Sequence, residues 1–386
     1  MSGALEGILV ADFTRVLAGP YATMLLADFG ADVIKVERPP AGDDTRAWGP
    51  PYTPDGQATY FQSVNRNKRS VALDMKDDED RWLARELADR ADVVVHNLRP
   101  GTMERWGLGF EQLSEHRPEL VYCAISGFGS GVGAALPGYD LLAQAVGGLM
   151  SMTGEPGSPT KVGVAIVDVI TGLHADIGIL AALRHRDQTG VGQLVEVDLL
   201  TSLLSSLVNH ASAYVTGGVL PVATGNAHTS IAPYQPVPTR DRPLVLAVGN
   251  DGQFGRLCQV VGRPGLASDE RFDTNAARVR NRVELIAELT PALADRDADE
   301  WQGLLTAAGV PCGPINDIRA AFDLAASLGL EPTSTYESDG GGGGDGASTT
   351  SDPIRLSSTP ARYRTPPAGM GADSEEVKAW LRRDRS

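Results

Sequence analysis

One aspartate stands alone in an apolar run: Val164, Ala165, Ile166 and Val167 precede Asp168, and Val169 and Ile170 follow it. An ionised carboxylate in such a frame is costly unless it is hydrogen-bonded or functional. Held by the amides that open a helix, it would be well oriented as a nucleophile. The plainer reading is a helix N-cap, where an aspartate satisfies orphan amides and does nothing more. The pattern alone leaves both readings open. A second candidate set is cationic. Lys35 and Arg38 end the segment VIKVERP, and NRNKRS adds Arg66, Lys68 and Arg69. Parallel sheets place ligands at such strand ends. Clustered cations also stand out on a chain with 34 Lys and Arg, 49 Asp and Glu and a net charge of −15. The bland alternative is a solvated basic turn.

Other chemistries are excluded by spacing. The six histidines form neither HxxxH nor HExxH, so no metal site is expected, and no GxSxG elbow offers a serine nucleophile. GFGSGVG (127–133) departs from the dinucleotide fingerprint GxGxxG and reads as a turn. Cys123, Cys258 and Cys312 lie far apart, which encodes neither a disulfide framework nor a CxxC site and fits a reducing cytosol. The acidic balance argues against nucleic acid as a partner. The first twenty residues carry Glu6 and Asp12 and lack the basic start of a secretory signal. The most apolar window, 162–183, contains Asp168, His174 and Asp176, so a soluble rather than membrane protein is expected.

These residues must be held by a scaffold, and the alternation of β-rich and helical runs implies βαβ units around a mostly parallel sheet. Strands are expected at 7–13, 31–37, 70–75, 91–97 and 119–129. A helix opens at Pro20 and is capped at Gly30, and another over DDEDRWLARELADRA begins with acidic residues. The first 130 residues thus read as a doubly wound, nucleotide-binding-like layer. Residues 138–215 are mainly helical with a strand at 193–198. A Gly/Pro/Thr-rich passage, 216–243, leads to a smaller α/β unit with a strand at 243–249, helices near 252–261, 281–293 and 298–308, and a turn at 309–317. The low-complexity stretch 337–352 reads as a flexible excursion.

Taken together, DFTRVLAGPYATMLLADFGADVIKVERP (12–39), NRNKRSVALDMK (65–76), NLRPGTMERWGLG (97–109), PGYDLLAQAVGGLMSMTG (137–154), VDVITGLHADIGILAAL (167–183), AGVPCGPIND (308–317) and PIRLSSTPARYRTPP (353–367) resemble the class III CoA-transferases. That family includes formyl-CoA, carnitine and bile-acid CoA-transferases and the 2-methylacyl-CoA racemases. The resemblance implies an α/β chain with a Rossmann-like large domain and a smaller α/β domain, ring-shaped and threaded through its copy in an interlocked homodimer. Residues 1–224 and the returning segment 331–386 would form the large domain and 225–330 the small one. It further implies a cytoplasmic acyl-CoA:carboxylate CoA-transferase with coenzyme A as co-substrate and no permanently bound cofactor.

By the same resemblance Asp168 is the nucleophile. It would attack an acyl-CoA to give a mixed anhydride and then carry CoA as an aspartyl thioester, which conserves the thioester without ATP or metal. Arg38, Lys76 and Arg105 would meet the CoA phosphates, and Val16, Ala18, Leu73, Asn97 and Leu98 its adenine and pantetheine path. Leu17, Trp48, Tyr60, Tyr139 and Asn226 would line the acyl pocket, with 225–230 matching a mobile flap that here keeps one glycine. Leu17 replaces the glutamine of the formyl and oxalate enzymes, which argues against those acids and leaves a succinyl-CoA-like donor with a medium-sized organic acid as the expected pair. The rival is a racemase, whose histidine is replaced here by Tyr139, a poor base at the ordinary tyrosine pKa of about 10. Asp251 near a racemase glutamate is the one feature in its favour. A catalytically idle CoA-binding homologue is the third reading.

Overall fold

The computed structural model describes residues 3–337 and 347–383. The chain divides into two compact units, the first comprising Met1–Leu149, Val162–Val219 and Glu331–Ser386, the second Met150–Lys161 and Leu220–Leu330.

The first unit is built on six strands, β1 (Leu9–Phe13), β2 (Asp32–Glu37), β3 (Lys68–Ala72), β4 (Val93–His96), β5 (Val121–Ser126) and β6 (Leu194–Asp198). All pair in parallel, in the order β3-β2-β1-β4-β5-β6 of a doubly wound sheet. Valine-rich strands suit a sheet covered on both faces. Val94 points to a core shared with Leu83, Leu87, Val377 and Leu381, whereas Val93 and Val95 point to the opposite core with Ala22, Leu26 and Ile179. Helices α1 (Ala18–Asp28) and α4 (Ile166–Thr189) cover that second face; α2 (Asp78–Arg90) covers the first, and α3 (Asp140–Val146) packs beside α4. The α2 start is as its sequence predicts: the Asp77 carboxylate accepts from the Glu79 and Asp80 N–H groups ahead of an acidic first turn. At Gly172 a Cβ would lie 2.7 Å from the Ala18 carbonyl oxygen, so glycine is what lets α4 close on α1.

Two expectations are corrected in this unit. The third strand begins at Lys68 rather than residue 70, because Lys68 turns inward to a buried carboxylate instead of joining a solvated turn. Part of the low-complexity stretch is regular: Ser348–Thr350 pairs antiparallel with Thr333–Thr335, while 338–346 lie outside the described residues. Among the described residues α4 alone is long and apolar enough to cross a membrane. Its most apolar window has a mean hydropathy of 1.8 and is 44% buried within protein.

The second unit carries a three-stranded antiparallel sheet of Tyr234–Val237, Leu244–Ala247 and Cys312–Pro314. The last strand lies within the turn expected at 309–317. It is an edge strand, where a terminal proline costs no ladder bond. Helices Asp251–Val260, Arg282–Leu293 and Ala298–Ala307 enclose a core of Phe254, Leu285, Leu289 and Trp301.

Candidate active site

Asp168 is the third residue of α4, and Ala165, whose side chain caps nothing, is the N-cap. The capping reading of Asp168 is therefore replaced. The orphan amide of Val167 is satisfied from outside the helix by Asp140 Oδ1 at 2.8 Å, and Asp140 Oδ2 accepts from Gln144 Nε2 at 2.7 Å. Relieved of that duty, Asp168 points into the wall of a cavity of about 150 Å³. Its carboxyl is pushed up to about 7, first by desolvation and then by the neighbouring Asp140 charge. The helix N-terminus pulls the other way, favouring the anion. The result is a group that is half ionised near neutrality and forms no ion pair among the described residues. The same carboxylates, after burial, raise the Tyr60 hydroxyl.

Val16, Leu17, Ala18, Asn97, Leu98 and Tyr139 wall this cavity, as does the Gly127–Gly133 turn, read from the sequence as a plain turn. A Cβ on Gly127 would lie 2.5 Å from Gly138 Cα, so the glycines bring the turn after β5 against the entry to α3. A second cavity, of about 360 Å³, opens over the ends of β1 and β2 and includes Arg38 and Leu73. Arg15, Asp44, Leu98 and Arg99 belong to both walls.

Not every candidate reaches these cavities. Trp48 and Tyr60 meet edge to face at 5.3 Å beside the site. Arg105 donates to Thr102, a residue of the second cavity, while exposed Lys76 lies outside both walls. Asn226 lies in the second unit, exposed in a local bridge with Thr224. In the same unit, Asp251 opens a helix and pairs with buried Arg278 at 2.6 Å. Asn97 lines the first cavity but its amide is committed: Oδ1 accepts from the Arg15 N–H at 2.9 Å and Nδ2 donates to the Arg15 carbonyl at 2.6 Å.

The basic cluster is corrected most sharply. Lys35 is buried against Asp43 at 2.9 Å, Lys68 against Asp12 at 3.2 Å and Arg66 against Asp28, while Arg69 pairs with Asp32. Buried cations require such partners, so Lys35, Lys68 and Arg66 hold the scaffold while Arg69 makes a partly exposed pair. Of the five, Lys35, already committed to Asp43, and Arg38 line the second cavity. Asp140, Arg15, Asp44 and Arg99 are the residues the sequence reading missed. Asp140, one residue after Tyr139, carried a visible signal as an acid opening a helix.

Comparison with known proteins identifies the family of the chain and matches its fold. The signature of CoA-transferase family III matches residues 5–374. The chain is 44% identical to a succinate–glutarate CoA-transferase of Agrobacterium fabrum, over 98% of this chain and 95% of that protein. It is 44% identical to a mouse succinyl-CoA:glutarate CoA-transferase over 84% of this chain and 74% of the other. A CAIB/BAIF family crystal structure from Brucella suis superposes with a TM-score of 0.88 at 39% identity, covering 99% of this chain and all of that one. The chain belongs to CoA-transferase family III.

Proposed function

We propose that this enzyme moves CoA between dicarboxylic acids of succinate and glutarate size, with Asp168 as the covalent carrier. The observation that carries the reading is the unpaired Asp168 carboxylate in the wall of the first cavity, raised to about 7. The relatives named above as succinate–glutarate transferases support the substrate size, and Leu17 in the cavity wall fits an acid with a methylene chain.

The sequence of bonds is balanced without an external proton. Ionised Asp168 attacks the thioester carbonyl and expels CoA thiolate, forming a mixed anhydride. The thiolate attacks the aspartyl carbonyl and releases the donor acid, leaving an aspartyl-CoA thioester. The acceptor carboxylate then attacks that thioester, and the thiolate attacks the acceptor's acyl carbon, returning Asp168 as carboxylate. Leu17, Leu98, Ile125, Phe128 and Leu199 give the cavity an apolar side that limits water, which would hydrolyse either intermediate. CoA would run from the second cavity, beside Arg38, to the first. Exposed Leu173, Ile177 and Leu180, at helical spacing on α4, support association with a second copy.

Mass spectrometry after incubation with succinyl-CoA, with and without hydroxylamine, tests the carrier. A CoA adduct or hydroxamate on Asp168, and loss of turnover in Asp168→Ala, are expected. Full turnover in that variant, or deuterium exchange at an α-carbon with no adduct, would overturn it.

A further inference from the structure

Arg15 shares the wall common to both cavities with Arg99, and of the two it alone pairs with an acid among the described residues. Its backbone is immobilised on both polar atoms by the Asn97 amide. The next residue, Val16, is held at a φ of 70° with its N–H on Asp43 Oδ1 at 3.2 Å. That left-handed conformation is strained for a β-branched residue, and Asp43 is itself locked by buried Lys35. The Arg15 side chain therefore leaves a rigid anchor, but its head is loose. Nη1 meets Asp44 Oδ2 at 3.2 Å with the two side chains 52% and 46% exposed. Three other cations around the sheet ends are committed to buried acids, Lys35, Lys68 and Arg46, the last on Glu37 at 2.7 Å. Arg38 and Arg99 line the cavities without an ion pair among the described residues. An exposed pair is weak and easily exchanged, whereas a guanidinium grips phosphate oxygens bidentately.

Both members of this pair stand in the wall common to the two cavities. A CoA molecule laid through them must bring its diphosphate past that wall, with the nucleotide on one side and the thioester on the other. We propose that Arg15 is an exchangeable clamp for the CoA diphosphate, held by Asp44 in the empty site and surrendered to the phosphates on binding. Asp44 then acts as a competitor: it keeps the guanidinium aligned but must be displaced and stands as a like charge beside the incoming anion. CoA is held less tightly than Arg15 alone would allow, which suits a carrier that must be released every cycle. Arg15 positions the ligand and touches no reacting atom.

The inference rests on CoA as the ligand of the two cavities, and calorimetric titration of the full-length protein with CoA and with pantetheine, which lacks the diphosphate, separates the two. Wild type that binds no CoA would overturn both. With binding established, Asp44→Asn should tighten CoA up to about fivefold, the scale of an exposed ion pair. Arg15→Gln should weaken it by about tenfold, the scale of a charge-assisted hydrogen bond. Neither should change pantetheine affinity, and the Asp44→Asn gain should shrink in the Arg15→Gln background. A merely structural Asp44 would give unchanged or weaker binding. That outcome, an equal effect on pantetheine, or a gain undiminished without Arg15, would overturn the clamp.

Discussion

Two groups of acids lie near the ends of the parallel strands and are treated in opposite ways. In the first, Asp12 is fully buried yet held below the ordinary carboxylate range: burial pushes it up, and Lys68, Lys35, Thr14 and Thr23 more than offset that. Glu37 and Asp43 are likewise lowered against burial by Arg46 and Lys35. In the second, Asp168 and Asp140 face one another's field without a paired cation among the described residues, and Asp168 rises to about 7, first by burial. Satisfied charges fix a backbone; an unsatisfied one beside a cavity is available for chemistry. The cavity is needed as well as the raised carboxyl. Asp176, two turns further along α4, is also raised, by burial and by Asp352, and both its oxygens lack a hydrogen-bond partner among the described residues, but it lines neither cavity.

Breaking the satisfied group should have the largest effect. Lys68 donates to Asp12, to the Pro20 carbonyl at 2.8 Å and to Asn65 at 3.0 Å, tying β3 to β1 and the start of α1. Lys68→Met leaves Asp12 buried without its nearest cation, and removing one partner of a buried pair costs about 3–5 kcal/mol. Denaturant titration should show that loss as a lower midpoint at unchanged slope. A loss below about 1 kcal/mol, the range of exposed pairs, would place these charges with the surface ones.

That contrast also marks what was legible in the sequence. Strand and helix order was readable because valine runs, acidic first turns and glycine caps act locally. Asp168 was readable because an acid among Val and Ile is anomalous in one dimension. The roles of Lys35, Arg66 and Lys68 were not, since their partners Asp43, Asp28 and Asp12 lie 8, 38 and 56 residues away and meet them only once the sheet is formed. The capping of α4 was hidden for the same reason: its donor at Val167 is served by Asp140, 27 residues earlier.

At Asp168 the same comparison predicts a gain in stability. Its folded-state value of about 7 lies above the ordinary carboxylate value, so the unfolded chain gives up the proton first. Stability attached to this group therefore falls as pH rises towards 7 and stays lost above it. Asp168→Asn removes the penalty while ending turnover. Thermal unfolding at pH 8 should show a midpoint raised by about 2–4 °C over wild type, shrinking towards zero near pH 4 where both side chains are neutral. An equal or lower midpoint at pH 8 would mean that Asp168 is better compensated than its surroundings indicate.

The smallest effect sharpens the link between the two carboxylates. With ionised Asp168 as the nucleophile, kcat/KM should rise with pH through a limb near 7 and then level off. Asp140→Asn removes the charge that contributes to that value after desolvation, while its remaining oxygen can still accept from the Val167 N–H. Burial, the larger cause, is untouched. The limb should therefore move towards lower pH by less than about one unit without disappearing. A stationary limb with a lower plateau would instead assign Asp140 to capping alone, because loss of position reduces the rate at every pH whereas loss of charge shifts only where the rate turns on.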